Sequence, residues 1–311
     1  MIVDPFDLAS LFSLRELLEG LSDTTDPLIR TVTPAPQCDR VAILPGSFNP
    51  PTAAHVLLAE RALVDGFGCV LFTHATTTVG KRRSGLIPED RLLALRAATE
   101  GRSVVAVTSH GLYADQAEAA ARAFPGAEVS FLVGSDKVLQ IFDERWYDDR
   151  DAALERLFGL ASLIVAPRSD QGEAVRDVLR APENRRFADR VDVLRLHPAV
   201  GELSSTRVRG LLAAGADPAG LVPSAVAKVL GAVRAFAPPV VVGCEEVDAY
   251  DVRARIVDLL WRSRGRAADD VDLRALVETA TSPGAPGAKL RAILRDNVLD
   301  APAQLRAVAT A

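Results

Sequence analysis

The sequence predicts a doubly wound α/β protein, in which helices cover both faces of a parallel β-sheet. Between residues 40 and 236, short apolar runs rich in β-branched residues alternate with longer stretches of helical periodicity. The runs are continuously apolar rather than alternating, which is typical of strands buried on both faces. The chain has 311 residues, enough for a main domain of about 200 residues and additional segments. We therefore expect three parts, residues 1–39, 40–236 and 237–311.

The first part, residues 1–39, is predicted to be an N-terminal helix followed by a linker. Its apolar residues recur at helical spacing, at Leu8, Leu11, Phe12, Leu18 and Leu21. Residues 22–39 are rich in Pro, Thr and Asp, which is typical of a linker. Acidic residues precede the first Arg, and this is the wrong charge order for a secretory signal. We expect the amphipathic helix to dock on the rest of the protein.

The main domain, residues 40–236, is predicted to contain the parallel sheet. The predicted strands are Val41–Leu44, Cys69–Thr73, Val104–Thr108, Val129–Val133, Leu163–Ala166 and Val191–Leu196. The predicted helices lie near 53–65, 88–99, 114–123, 151–159, 171–180, 206–214 and 223–235. Because strands and helices alternate along the chain, the connections favour parallel strands with helices on both faces.

The last part, residues 237–311, is predicted to be a small helical appendage. The pattern changes at Ala237-Pro238-Pro239, after which a short apolar run precedes helical stretches near 246–262, 271–280 and 287–297. Apolar stripes of this kind are buried against something. No residues here have the spacing of a metal site, a nucleophile or a phosphate loop. The expected role is packing or a contact in a homo-oligomer.

The composition excludes several classes of function. Hydrophobic residues make up 49% and charged residues 25% of the chain, which excludes wholesale disorder. The net charge of −5 provides no global basic field for nucleic acid. No apolar run is long enough to predict a membrane span. The three cysteines are widely spaced and form no CxxC pair, so we expect neither a disulfide framework nor a metal site, and a cytoplasmic location.

The most informative segment is VAILPGSFNPPTAAH, residues 41–55, at a predicted strand–helix junction. Gly46 allows the backbone to bend and an anion to come close. The helix that begins near Thr52 offers unpaired N–H groups and a positive dipole end. His55 follows Thr52 by three residues, so both side chains lie on the same side of the helix. The whole string predicts an anion site rather than a plain capped turn.

A second segment, LSSTRVR, residues 203–209, follows the last predicted strand and opens a helix. Ser204, Ser205 and Thr206 are residue types that cap helices, and their hydroxyl and N–H groups also suit phosphate. Arg209, one turn further, can reach a polyphosphate at the same helix end. In a doubly wound sheet, both helix N-termini lie at the carboxyl ends of the strands, where ligands bind.

Together the two segments resemble the signatures of the HxGH-type nucleotidyltransferase superfamily, and most of all its nicotinamide/nicotinate mononucleotide adenylyltransferases. GSFNPPTAAH is similar to the first signature, with Thr52 where many relatives have a first histidine, and LSSTRVR is similar to the second. VGKRRSGLIPEDR at 79–91 and FLVGSDKVLQIFDERWYDD at 131–149 resemble further stretches of that group. The resemblance spans about residues 40–235.

The resemblance implies a Rossmann-like fold and a specific reaction. The phosphate of a mononucleotide attacks the α-phosphorus of ATP, and the products are a dinucleotide of NAD biosynthesis and pyrophosphate. ATP, carrying Mg²⁺, and a phosphorylated small-molecule acceptor are the implied partners. The implied catalytic residues are His55, Thr52, Lys81 and Arg209. The implied phosphate-binding residues are Gly46, Ser47, Phe48, Ser204, Ser205 and Thr206.

The acceptor site is less clearly marked. Asp136 is expected to accept a hydrogen bond from a substrate hydroxyl, with a strand-end cap as the alternative. Trp146 is expected either to stack on a pyridine ring or to lie in the core, and Tyr113 joins them as an acceptor-binding candidate. The segment around Tyr113 lacks the tryptophans that animal-type members carry there. Arg91, which follows GLIP, belongs either to the anion site or to a solvated face.

Two other functions stay open at this point. A sister transferase would use the same phosphate residues with another acceptor, such as phosphopantetheine, or with CTP. A nucleotide-binding scaffold without turnover would explain the loss of the first histidine to Thr52. Because His55 and Arg209 are both present, catalysis is the preferred prediction.

Overall fold

The computed structural model describes residues 3–77, 85–166, 172–194, 203–263, 271–296 and 304–305. Its central feature is a seven-stranded sheet with the order β1-β4-β3-β2-β5-β6-β7. The strands are β1 Ile29–Thr31, β2 Arg40–Pro45, β3 Cys69–Ala75, β4 Val104–Thr108, β5 Glu128–Gly134, β6 Ala161–Ala166 and β7 Val191–Val193. Strands β2 to β7 are mutually parallel, which confirms the predicted doubly wound sheet.

Helices cover both faces of the sheet. They are α1 Leu8–Ser22, α2 Ala53–Val64, α3 Pro88–Thr99, α4 Tyr113–Ala123, α5 Ser135–Ile141, α6 Arg150–Leu160, α7 Gly172–Arg180, α8 Ser205–Ala213, α9 Ser224–Ala232, α10 Ala249–Arg262, α11 Leu273–Ala280 and α12 Ala285–Asp296. Val41 and Ile43 of β2 pack with α4 to α7. Ala42 and Leu44 face the opposite side, with α1, α2, α3 and α10 to α12. The central strands are therefore buried on both faces, as their apolar runs predict.

The position of the site follows from the strand order. The chain proceeds from β2 through β3 to β4 on one side, and from β5 through β6 to β7 on the other. The order therefore reverses between β2 and β5, and a crevice opens there at the carboxyl ends of the strands. Residues 46–52, which follow β2, lie at this point.

Several elements differ from the predicted ones, among them α5, which has no predicted counterpart. β1 lies within the predicted linker and pairs antiparallel with β4, with Ile29 opposite Thr108. Only Ile29 of this three-residue strand is buried, so the sequence carries no apolar run to mark it. The predicted strand 191–196 ends at Val193 in the structure, and residues 195 and 196 lie outside the described part.

The C-terminal part begins with a hairpin of β8 Val240–Val242 and β9 Glu245–Val247. For this reason the helix predicted near 246–262 starts at Ala249, where Asp248 accepts the N–H groups of Tyr250 and Asp251. The apolar residues of α10 to α12 join those of α1 and of the sheet in one core. No helix in the described ranges has both the length and the apolar character to cross a bilayer.

The shared core predicts that α1 contributes strongly to stability. Leu11 is fully buried in it, so Leu11→Ala should lower the free energy of unfolding by about 2–5 kcal/mol, through lost transfer energy and the cavity left behind. Val64→Ala is the control because Val64 is 80% exposed, and a change within about 0.5 kcal/mol is expected. Urea unfolding measures both variants. Equal stability of the two would contradict the packing of α1 on the core.

Candidate active site

The loop after β2 is folded tightly onto the sheet. The Gly46 N–H donates to the Thr73 carbonyl at 3.0 Å, and Phe48, at φ 43°, turns its ring back under the glycine. A Cβ at position 46 would lie 2.8 Å from the Phe48 ring, so this packing requires glycine. The Gly46 N–H is thus bonded to the sheet, and its expected closeness to phosphate stays a prediction. The amides of Ser47 and Phe48 bond to no other group within the described ranges.

Thr52 and His55 are in direct contact at the start of α2. Thr52 is fully buried and precedes the helix as its N-cap. Its backbone N–H donates to His55 Nδ1 at 3.0 Å, and its Oγ1 lies 2.8 Å from the same nitrogen. Because Nδ1 accepts the amide hydrogen, a neutral His55 carries its proton on Nε2. The Phe48 ring packs edge-on against the imidazole, with centroids 5.2 Å apart, and further fixes its orientation.

Side chains of the second motif bind main-chain carbonyl groups of the first. Ser205 Oγ donates to the Pro50 carbonyl at 2.7 Å, and Arg209 Nη1 donates to the Asn49 carbonyl at 2.8 Å. Ser204 caps α8 by accepting the Arg207 N–H. The sequence therefore correctly predicts that the two motifs meet. The hydroxyl groups of Ser204 and Ser205 are therefore both hydrogen-bonded within the protein. Thr206, in contrast, is exposed, and its Oγ1 lies 3.2 Å from Arg209 Nη2.

A third segment, residues 85–91, completes the loop and was only partly expected. Leu86 N–H donates to Asn49 Oδ1 at 2.9 Å. Gly85 lies in the left-handed region, and a Cβ there would be 2.5 Å from the Asn49 side chain. Arg91 is 5% exposed, and it donates to the Leu86 carbonyl at 2.8 Å and to the Ser47 carbonyl at 3.3 Å. The alternative of a solvated face is therefore wrong for Arg91.

Sequence reasoning missed the role of Asn49, which joins all three segments. Its position between the glycine turn and two prolines is the available signal, since an Asn in such a loop often bonds to nearby backbone. His74 is 3% exposed at the end of β3, and its Nδ1 lies 3.4 Å from the Gly46 carbonyl. His74 therefore packs against the turn at Gly46 from the end of β3.

The acceptor candidates lie near α4 and α5. Tyr113 begins α4 and packs edge-on against Phe131, with centroids 5.3 Å apart. Burial, and then the nearby groups of Asp136 and Tyr147, raise the pKa of Tyr113, so its phenol stays protonated at neutral pH. Asp136 is exposed in the first turn of α5, whose N-cap is Gly134. Tyr113 and Asp136 are therefore close together in the fold.

Trp146 and Lys81 are less informative. Trp146 lies half-buried in a 3₁₀ turn, Glu144–Trp146, and belongs to none of the aromatic pairs of the described residues. Trp146 is therefore not part of the buried core. Lys81 lies outside the described residues. Within those ranges, no group of three or more His, Cys, Asp or Glu side chains could hold a metal ion.

The site combines two helix N-termini, an oriented histidine and Arg209 at the point where the strand order reverses. Arg209 donates to a carbonyl and a hydroxyl and makes no ion pair with a carboxylate in the described part of the chain. The Arg209 guanidinium and the Ser47 and Phe48 amides lie at the carboxyl edge of the sheet. The first N–H of α2, that of Ala53, donates to the Leu221 carbonyl at 2.9 Å. This fold and site define the protein as a nucleotidyltransferase.

Comparisons with known proteins agree with this class. The family model described as Cytidylyltransferase-like matches residues 43–211, and the chain belongs to this family. A probable nicotinate-nucleotide adenylyltransferase of Geobacter sulfurreducens is 31% identical over 222 residues, covering 64% of this chain and 98% of the relative. Another, of Gemmatimonas aurantiaca, is 28% identical over 205 residues, covering 63% and 92%. These relatives confirm the resemblance predicted from the two motifs.

A solved structure is similar at lower identity. Plasmodium falciparum nicotinic acid mononucleotide adenylyltransferase, complexed with APC, aligns with 13% identity and a TM-score of 0.46, over 64% of this chain and 97% of that one. The family assignment rests on the sequence matches. Helices α1 and α10 to α12 lie outside the residues that the family model matches.

Removal of the Ser205 hydroxyl should lower the stability of the protein more than removal of the Thr206 hydroxyl. Ser205→Ala removes the bond to the Pro50 carbonyl and should lower the free energy of unfolding by about 1 kcal/mol. Thr206→Ala, one residue further and exposed, should change it by less than about 0.5 kcal/mol. Urea unfolding of the two matched variants tests this difference. A larger loss in Thr206→Ala would mean that Thr206, and not Ser205, joins the motifs.

Proposed function

We propose that this protein transfers the adenylyl group of ATP to nicotinate mononucleotide or its amide, releasing pyrophosphate. The observation that carries the proposal is that the start of α8 binds the loop leading into α2, through Ser205 to Pro50 and Arg209 to Asn49. In α2, the Nδ1 bond of His55 to Thr52 leaves the proton of the imidazole on Nε2. The Geobacter and Gemmatimonas relatives carry the name of this activity. The proposal places the chain in NAD biosynthesis.

The reaction needs alignment and charge stabilisation rather than a protein nucleophile. A phosphate oxygen of the acceptor forms a bond to the α-phosphorus of ATP, and the bond from that phosphorus to the β-phosphate oxygen breaks. Pyrophosphate leaves with the electron pair. Negative charge develops on the α-phosphate oxygens and the leaving group, so hydrogen-bond donors aimed at these atoms lower the barrier.

The residues of the site suit these tasks. His55, with its proton on Nε2, is proposed to donate to an α-phosphate oxygen in the transition state. The amides of Ser47 and Phe48 are proposed to meet the phosphates next to it. Thr206 and Arg209, with the first N–H groups of α8, are proposed to hold the β- and γ-phosphates. By resemblance, Lys81 supplies a further cation.

Mg²⁺ enters this scheme with the substrate. The family's ATP-dependent chemistry uses a divalent cation, and Mg²⁺ is usually held by substrate phosphates with one or two carboxylates. We propose Mg²⁺–ATP as the substrate form, with the ion neutralising phosphate charge. His55, Thr206 and Arg209 act on the remaining oxygens.

The acceptor is proposed to bind near Tyr113 and Asp136. Asp136, exposed at the start of α5, can accept from a ribose hydroxyl. Tyr113 can donate, since burial first and the nearby Asp136 second raise the pKa of its phenol. Trp146, half-buried in its 3₁₀ turn, is the candidate for stacking on the pyridine ring.

A pyrophosphate-release assay tests the proposed function. ATP and CTP are each paired with nicotinate mononucleotide, nicotinamide mononucleotide and phosphopantetheine, with Mg²⁺ present throughout. We expect release with ATP and a pyridine mononucleotide, and formation of the dinucleotide by chromatography. Release only with CTP or only with phosphopantetheine identifies a sister transferase. Binding of ATP without release with any acceptor identifies a scaffold.

Two isosteric substitutions test the role of His55. Asn in place of His retains an acceptor near Nδ1 for the Thr52 N–H but lacks a donor at Nε2, whereas Gln offers an amide donor near Nε2. We expect His55→Asn to lower kcat by about 100-fold or more, because one donor to the developing charge is lost. His55→Gln should retain more activity. Both should melt within a few degrees of the native chain, and a folded His55→Asn variant with native kcat removes Nε2 from the mechanism.

A further inference from the structure

The start of α3 carries three consecutive charged residues that are all buried. Glu89, Asp90 and Arg91 are 3%, 1% and 5% exposed. Each binds a different part of the protein. Glu89 pairs with Arg15 of α1, Asp90 pairs with Arg253 of α10, and Arg91 donates to carbonyl groups in the active-site loop. The N-terminal and C-terminal helices therefore meet the site through one turn of helix.

Asp90 is the centre of this arrangement. Arg253, fully buried, donates to its two carboxylate oxygens at 2.7 and 3.0 Å and also to the Pro5 carbonyl. The Tyr250 hydroxyl donates to Asp90 Oδ2 at 2.7 Å and accepts the Ile87 N–H at 2.8 Å. Burial first, and then the charge of Asp90, raise the pKa of Tyr250, so this hydroxyl remains a donor. Tyr250 thus fixes both the side chain of Asp90 and the main chain just before α3.

From Ile87 the hydrogen bonds continue into the site. The adjacent Leu86 donates its N–H to Asn49 Oδ1 at 2.9 Å and accepts Arg91 Nε at 2.8 Å. Arg91 Nη1 reaches the Ser47 carbonyl at 3.3 Å. The Asn49 carbonyl in turn accepts from Arg209 at 2.8 Å. A continuous set of bonds therefore joins α10 to the loop that carries the proposed phosphate donors.

We propose that Tyr250 and Arg253 are positioning residues for the transfer reaction, acting through Asp90, Ile87 and Leu86 on the loop at Ser47 and Asn49. The inference rests on the proposed function. A buried ion pair contributes little net stability compared with an apolar pair of similar size, but it fixes one geometry. Phosphoryl chemistry depends on alignment, and a displacement of about 1 Å lowers rates by about 100-fold. Both residues lie outside the range 43–211 that the family model matches, so this part of the site comes from the C-terminal helices.

The test uses two variants of the full chain that change the same helix. Tyr250→Phe removes only the hydroxyl that bonds Asp90 and Ile87. Trp261→Phe removes the Nε1 bond to Glu19 of α1, at 2.8 Å, and keeps an aromatic ring beside Arg15. Tyr250→Phe loses two hydrogen bonds made by α10 and Trp261→Phe loses one, so an effect of general destabilisation should appear in both. Steady-state kinetics, thermal melts and hydrogen exchange of peptides covering 45–52 and 85–92 are measured on both.

We expect Tyr250→Phe to lower kcat by about tenfold, with KM for ATP within about threefold of the native value, because alignment rather than binding is disturbed. Peptides 45–52 and 85–92 should exchange faster than in the native chain. Trp261→Phe should leave kcat within twofold and both peptides unchanged.

Two results would overturn the proposal: unchanged exchange of peptide 45–52 in Tyr250→Phe, or a kcat in that variant within twofold of Trp261→Phe. If the native chain releases no pyrophosphate with any acceptor, the proposed function fails. The exchange measurement then still decides whether α10 holds the loop, because it needs no substrate.

Discussion

Asn49 is the residue on which the arrangement of the site depends, because it binds two other segments while belonging to a third. Its carbonyl oxygen accepts from Arg209, and its side-chain oxygen accepts from the Leu86 N–H. Asn49 is 7% exposed. Loss of either hydrogen bond would leave a buried oxygen of Asn49 unpaired, which would lower the free energy of unfolding by about 1–3 kcal/mol. The loop after β2, the start of α8 and the segment before α3 therefore have one favourable relative placement. Two hydrogen bonds set this placement, one from the Arg209 guanidinium and one from the Leu86 N–H.

A site for polyphosphate must also tolerate the acidic residues that the fold places near it. Glu89 and Asp90 lie next to Arg91, whose guanidinium contacts the loop. The two carboxylates are paired with Arg15 of α1 and Arg253 of α10. An unpaired buried carboxylate would repel an anionic substrate and would itself be costly. The added helices therefore supply both apolar cover for the sheet and the counter-charges for α3.

Much of this architecture could be predicted from the sequence, since the strands are continuous apolar runs and each phosphate motif sits at a strand–helix junction. That the two motifs lie at the same edge of the sheet followed from topology alone. The different hydrogen-bond partners of Ser204, Ser205 and Thr206 could not be predicted, because all three are residue types that cap helices. Which of them bonds to the protein and which is exposed depends on where each side chain points in the fold. β1 was missed because its single buried residue, Ile29, makes no pattern. The pairing of Asp90 with residues of α10 depends on contacts between residues about 160 positions apart, which local periodicity does not report.

The departure from the family's first histidine can be understood from the geometry around His55. Thr52 stands at the N-cap of α2, a position that Thr favours, and it is fully buried with its amide and hydroxyl both turned to Nδ1. The imidazole thus has Nδ1 held by Thr52 and its proton on Nε2. A residue at position 52 that only orients Nδ1 need not be a histidine, since any group that fixes the ring and the tautomer serves the same purpose. Thr52 is therefore sufficient to hold His55 with its proton on Nε2, the nitrogen proposed to meet the α-phosphate.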